Sequence, residues 1–219
     1  MKLLLGLFCS VFSLFTMQAQ NSGLSTTNNE NAFTVRNNSF QAFTLNKAKS
    51  NFTVKGTTTS HNWEIVSRTI AGNIVTVLNN DELKIKSINL KTASKSLKSG
   101  KKLMDKKCYK ALKSEIHPTI SYQLNSVKNI ELIAKNSYKA TLIGSLTIAG
   151  ISKIITTDVK IGLKYGNRTI SGFNIKGNKT LKMSDFNITP PSAFFGIIKT
   201  GNDISIVYNL FYNNKTLLK

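Results

Sequence analysis

Residues 137–166 read SYKATLIGSLTIAGISKIITTDVKIGLKYG. Tyr138, Ala140, Leu142, Gly144, Leu146 and Ile148 occupy every second position, with Lys139, Thr141, Ser145 and Thr147 among the residues between them. After Ala149-Gly150 the alternation resumes, and Ile155, Thr157, Val159, Ile161, Leu163 and Tyr165 fall on one face. A period of two sustained this long marks half-buried antiparallel strands, and Ala149-Gly150 supplies the reversal between them. The stretch predicts a long hairpin that is apolar on one side.

The same period recurs on either flank. Phe52 and Val54 alternate with Thr53 and Lys55; Leu83 and Ile85 alternate with Lys84 and Lys86; Ile204, Ile206, Tyr208, Leu210 and Tyr212 form another face. Asn79-Asn80-Asp81, Gly166-Asn167, Gly177-Asn178 and Gly201-Asn202 read as turns. About eight strands result, a number at which a twisted sheet curls, splits or closes. The reading is an all-β antiparallel domain of about eight strands. One segment departs from it. Leu103, Met104, Cys108, Ala111 and Leu112 are spaced as one face of a helix, with lysines filling most other positions. His117-Pro118 is expected to end that helix, because the residue before proline is driven out of the α region.

The chain has 219 residues, 41% of them hydrophobic, and a net charge of +20 from 30 Lys+Arg against 10 Asp+Glu. That length suits one all-β domain with short appendages. Lys2, the apolar run from Leu3 to Phe15 and small Ala19 read as a secretory signal peptide over residues 1–19, too short for a membrane-spanning helix. Export to the periplasm, or alternatively the extracellular space, is the expectation. Residues 20–41, rich in Asn, Ser and Thr, read as a flexible lead-in in which Phe33-Thr34-Val35 adds at most a short strand. The barrel domain is assigned to residues 42–213, with a tail over 214–219. Without the leader Cys108 is the sole cysteine, which excludes an internal disulfide and leaves either an inert buried thiol or a reactive one.

Two histidines and few carboxylates give little material for a metal site or an acid–base pair, and no nucleophile, dinucleotide or phosphate-loop motif is present. No cofactor is implied. Between Lys84 and Lys113 stand eleven lysines against Asp105 alone. The single aromatic there, Tyr109, and the lack of arginine argue against nucleic acid. The stretch reads as a solvated face, or as one suited to anionic membrane headgroups or acidic surface polymers. Several strands are apolar on both faces, as at Ile74, Val75, Val77 and Leu78 and at Ile154 and Ile155. An eight-stranded barrel either fills its interior with side chains or holds one small ligand. Periodicity leaves both open.

Four segments carry a resemblance. They are GTTTSHNWE over 56–64, LMDKKCYKALKSEIHPTIS over 103–121, GSLTIAGISK over 144–153, and LKMSDFNITPP over 181–191 leading into FFGIIKTG over 194–201. In this order and spacing the chain resembles the YceI-like family of exported polyisoprenoid-binding proteins over roughly residues 43–212. The resemblance implies a lipocalin-like barrel with a long apolar channel and non-catalytic binding of isoprenoid lipids or quinones. Asn62, where many relatives carry an acid, Cys108-Tyr109, and Asn187, where glycine is common, depart from the pattern.

On that basis Phe52, Trp63, Tyr122, Met183, Phe186 and Phe194 are the expected tail contacts, with Phe195 and Ile197 in the same Pro190-Pro191 loop. His61 is placed near the mouth, against a headgroup. The bland alternatives are that Trp63 is a core anchor, His61 a surface histidine, and the Met183–Ile197 cluster a plug for one end of the barrel. A plugged barrel acting as an interaction module through its lysine face is the rival function, and an enzyme acting on a lipid headgroup the more distant one.

Overall fold

The computed structural model describes residues 40–79, 82–166, 169–193 and 195–214. The leader over 1–19, the Phe33-Thr34-Val35 strand and most of the lead-in, Phe194 and nearly all of the tail lie outside the described residues.

Among the described residues eleven strands form: β1 (Gln41–Leu45), β2 (Asn51–Thr58), β3 (Asn62–Ser67), β4 (Ala71–Asn79), β5 (Glu82–Ala93), β6 (Thr119–Ala134), β7 (Ser137–Ile148), β8 (Ile151–Gly166), β9 (Thr169–Lys182), β10 (Ser192–Ala193) and β11 (Ile198–Asn214). A helix, α1 (Lys102–Ala111), lies between β5 and β6. Pairing runs β1-β4-β5-β6-β7-β8-β9-β11, and β1 pairs with β11 through Phe43↔Asn214 and Leu45↔Tyr212, which closes a ring of eight antiparallel strands. The closed antiparallel barrel expected from the strands and the resemblance together is thus the observed fold. Strand β7 shows why: its even-numbered side chains from Tyr138 to Ile148 are buried and its odd-numbered ones are not. The β7–β8 turn places Ala149 and Gly150 at φ 50 and 80, the pair of positive φ values that a tight hairpin of this twist requires. At Gly150 a Cβ would overlap the His117 ring, so both the backbone angle and the close approach demand glycine.

The two ends of the barrel differ. Strand β11 is bordered by β1 near its C-terminus but by β2 toward its N-terminus, over Asn209↔Asn51 to Thr200↔Thr58. The hairpin β2–β3 stands outside the ring of eight and widens the wall at one end. Its free edge is bridged to the chain ahead of α1 by the reciprocal Val66–Lys98 backbone bonds of 2.9 Å. Hydroxyls stitch β3 to β5 and to the 3-10 turn Ser94–Ser96 that follows it: Ser67 lies 3.1 Å from Thr92 and 2.8 Å from Ser96, with Thr92 and Ser96 3.0 Å apart. At the narrow end Phe43, Ile74, Leu83, Ile161 and Phe173 are buried together, with the Phe43 and Phe173 rings perpendicular at 4.5 Å. This end is packed solid.

Several expectations need correction. Gly177-Asn178 and Gly201-Asn202 are not turns; they lie inside β9 and β11, with a register shift near the latter between Thr200 and Ile204. Gly177 gives room to the Tyr208 side chain of the paired strand. Tyr165 leaves the inward face because the β8–β9 register shifts between Lys164 and Tyr165. Ile154 points outward, so β8 does not bury both faces there. The helix stops before His117-Pro118. Lys113 adopts φ 52, its N–H donates to the Lys110 carbonyl at 3.1 Å, and the Ser114 N–H donates to the Tyr109 carbonyl at 2.9 Å. That pair of bonds is the Schellman termination, here with lysine at the left-handed position usually held by glycine.

Candidate functional site

Above the packed end the interior is hollow in two connected parts. The deep part, about 140 Å3, is walled by Ile70, Ile88, Leu90, Leu142, Val159, Ile175 and Leu210 with three tyrosines, Tyr122, Tyr208 and Tyr212. The wide part is about 770 Å3. Phe52, Ile120, Leu146 and Ile206 border both, so one apolar channel narrows inward. The volume falls in the range of small-molecule sites.

Each wall of the wide part follows from local sequence. The β2–β3 hairpin contributes Val54, Trp63 and Ile65. Trp63 faces Gly56 across the pair, where a Cβ would overlap the indole, and its Nε1–H donates to the Thr57 carbonyl at 3.1 Å. The ring therefore lies flat along its own hairpin with its polar edge satisfied, and still borders the channel. Helix α1 covers one side with Met104, Cys108 and Ala111, followed by Leu112, while Leu103 on the expected stripe is exposed. The helix is anchored at its start by Asp105, whose Oδ1 accepts from the Ser99 N–H at 2.7 Å and the Ser99 hydroxyl at 2.6 Å. Burial opposes its ionisation, yet those two bonds hold its carboxyl below the usual carboxylate range. Tyr109 donates to the Leu97 carbonyl at 2.9 Å and accepts from Lys98 Nζ at 2.7 Å, fixing the other side of the helix. The short 3-10 turn Met183–Phe186 supplies Met183 and Phe186, and Ile188 follows.

Cys108 is a wall residue. Burial pushes its thiol up to about 12, with the Asp105 charge adding to the shift. The folded value is raised, so its contribution to stability is complete below the ordinary thiol range near ~8.5 and is lost as pH climbs toward the folded value. Alkylation by iodoacetamide at mildly alkaline pH should run at least ~100-fold slower in the folded protein than in denaturant, since only thiolate reacts. Equal rates would contradict this placement.

Lys91, Thr92, Ser121, Thr157 and Lys179 also line the deep part, beside the three tyrosines. Tyr208 and Thr157 hydroxyls lie 2.8 Å apart. The Tyr122 and Tyr212 hydroxyls are buried with no hydrogen-bond partner among the described residues. Burial pushes Tyr122 up to about 12 and raises Tyr212 as well, each helped by a neighbouring tyrosine. An unpartnered buried hydroxyl is destabilising, so Tyr212→Phe should raise folding stability by about 1 kcal/mol in urea denaturation. A loss of that size would mean that the hydroxyl has a partner in solution.

Among the described residues no three metal-ligating side chains come together. A sequence model for the YceI-like domain matches residues 43–211. The chain belongs to the YceI-like family. In this YceI-like chain Asn187 adopts φ 52, a left-handed conformation that asparagine tolerates better than most residues. Two solved structures are similar in fold. One is the crystal structure of Burkholderia cenocepacia BcnA, 16% identical, covering 76% of this chain and 98% of that one at a TM-score of 0.57. The other is a polyisoprenoid binding domain from Saccharophagus degradans implicated in plant cell wall breakdown, 11% identical, covering 80% of this chain and 99% of that one, also at 0.57. No curated protein matches the sequence.

Within the YceI-like barrel Phe52, Trp63, Met183 and Phe186 border the wide part, and Tyr122 the deep part. His61 stands exposed at the rim, its Nδ1 2.8 Å from the Ser60 hydroxyl. Phe194 lies outside the described residues. Phe195 and Ile197 are not wall residues: the turn they belong to has Phe195 at φ 53 and leaves it fully exposed, with Ile197 three-quarters exposed. Sequence reasoning missed Ile188, Leu112, Ile204 and Ile206 as wall residues, although the last two were visible in the β11 alternation.

Proposed function

We propose that this YceI-like protein is an exported, non-catalytic carrier that houses a long apolar lipid chain in its channel, in class a polyisoprenoid or isoprenoid quinone. The observation that carries the reading is the apolar channel itself, closed at the Phe43–Phe173 end and widening to about 770 Å3 at the other. Hollow apolar space lacks the contacts a chain would supply, and each methylene taken from water contributes about 0.8 kcal/mol. A branched chain inserted tail first meets Ile120, Leu146, Ile206 and Phe52, then the deep part. The head remains near His61, Lys101, Lys102 and Lys107 at the rim. His61 has the Ser60 hydroxyl beside it and, among the described residues, no carboxylate partner, an arrangement suited to holding a headgroup oxygen. The isoprenoid class is favoured by the similar fold of the Saccharophagus degradans domain, which is described as polyisoprenoid binding.

Trp63, the sole tryptophan, borders the channel and reports on its contents. Titrating lipid-stripped protein with an isoprenoid quinone should quench its emission saturably and raise the melting temperature through preferential binding to the folded state. Absence of a saturable change in both would contradict the reading.

A further inference from the structure

The four most exposed large apolar side chains among the described residues share one end of the barrel, whereas Phe40, Leu132, Ile133 and Tyr165, toward the other end, are less exposed. Leu103 and Ile116 on the β5–β6 connection, and Phe195 and Ile197 on the β9–β11 connection, are all highly exposed, and both connections lie at the wide end. These tips are held, not loose. Pairing of β10 with β11 fixes the base of the Phe195 turn, Lys107 Nζ donates to the Ser192 carbonyl at 2.8 Å, and the Thr59 N–H donates to the Lys199 carbonyl at 3.0 Å. Around them stand Lys101, Lys102, Lys106, Lys107, Lys110 and Lys113. Asp105, the acid among them, is turned inward onto Ser99. Among the described residues the three lysine–carboxylate pairs are made by Lys55, Lys84 and Lys95, none of them on α1. The Lys84–Lys113 stretch is therefore not one face: Lys84 lies at the narrow end, opposite Val77 in the β4–β5 pair.

We propose that the wide end of the barrel docks on an anionic lipid bilayer, with the α1 lysines on the headgroups and Phe195, Ile197 and Leu103 inserted at the interface. An acidic polymer would match the lysines but gives no partner to the apolar tips. A bilayer interface matches both, since peripheral attachment combines buried apolar area with attraction to anionic lipid. Docked this way, the channel mouth bordered by Lys101, Lys102 and Leu103 opens against the membrane, and an apolar chain passes between bilayer and channel without crossing water. This purpose rests on the carrier reading; the docking itself does not.

Flotation of the chain from residue 20, without the apolar leader, tests it, using vesicles of phosphatidylcholine alone and of phosphatidylcholine mixed with phosphatidylglycerol. The protein should float with the mixed vesicles only, less so in high salt. Lys106→Gln, Lys110→Gln and Lys113→Gln should each lower partitioning about five-fold. The double change Phe195→Ser and Ile197→Ser should lower it at least about ten-fold, and Lys84→Gln with Lys86→Gln should leave it unchanged. As a second readout, an environment-sensitive dye attached at Phe195→Cys should shift to the blue on mixed vesicles. Failure of the folded wild-type chain to float, an unchanged dye, or equal loss from the narrow-end lysines overturns the proposal. Retention of full binding by the Phe195/Ile197 variant overturns it too, as charge alone would then suffice. Floating protein whose organic extract holds no lipid keeps the docking and removes the carrier reading; lipid in the extract without flotation does the reverse.

Discussion

Phe173→Ala is expected to cost about 3–5 kcal/mol of folding stability, among the largest losses available in this barrel. The side chain is 1% exposed, edge-on to Phe43 at 4.5 Å, and paired in register with Leu163 on β8 and Tyr212 on β11. It thus ties together strands from both sides of the seam where β1 and β11 close the ring. Truncation removes dispersion contacts on every side, and barrel walls cannot collapse inward to recover them. Phe173→Leu, which keeps most of the volume, should cost under about 1.5 kcal/mol. Urea denaturation of the two variants measures the difference. Losses below about 1 kcal/mol for alanine would mean that the narrow end is loosely filled, and that the channel continues through it.

Ile206→Asp should weaken chain binding by at least about 100-fold, because its carboxylate, opposite Lys179 on β9, would set a hydrated ion pair at the neck of an apolar channel, which an entering chain would have to desolvate. Ile206 borders both parts of the channel and lies between Val54 and Lys179 in the sheet. It is only half-buried, so the fold should survive the change better than it would at Leu146. Ile206→Met, similar in volume and apolar, should bind within about three-fold of wild type. Comparing Trp63 quenching by the same quinone in the three proteins decides this. Unchanged affinity in the aspartate variant would move the chain out of the channel.

The strands were legible because a pleat alternates strictly: the six inward residues of β7 could be read from the chain and are buried as expected. Ring closure was not legible residue by residue, since Phe43 meets Asn214 across nearly the whole domain and nothing local encodes that register. Bulges hid in the same way. One register shift sends Tyr165 outward, and Thr76 and Val77, neighbours in sequence, are both buried beside another shift in β4. Helix α1 was visible from its stripe, but its stop was assigned to proline when backbone bonds at Lys113 and Ser114 end it earlier. At the candidate site, composition marked the apolar loop after Met183 without saying which way each residue points. A left-handed Phe195 turned part of that loop into rim. The interior was the hardest to foresee. Packing at Phe43 and Phe173 fills one half, while the extra β2–β3 hairpin and α1 hold the other half open.

Mass spectrometry of the organic extract from protein purified under native conditions tests the channel as a lipid site most directly. The expected result is one long-chain isoprenoid species in near-stoichiometric amount, lost in Ile206→Asp and retained in Ile206→Met. An extract from folded protein that holds no such chain, or holds as much of it in the aspartate variant as in wild type, would contradict it.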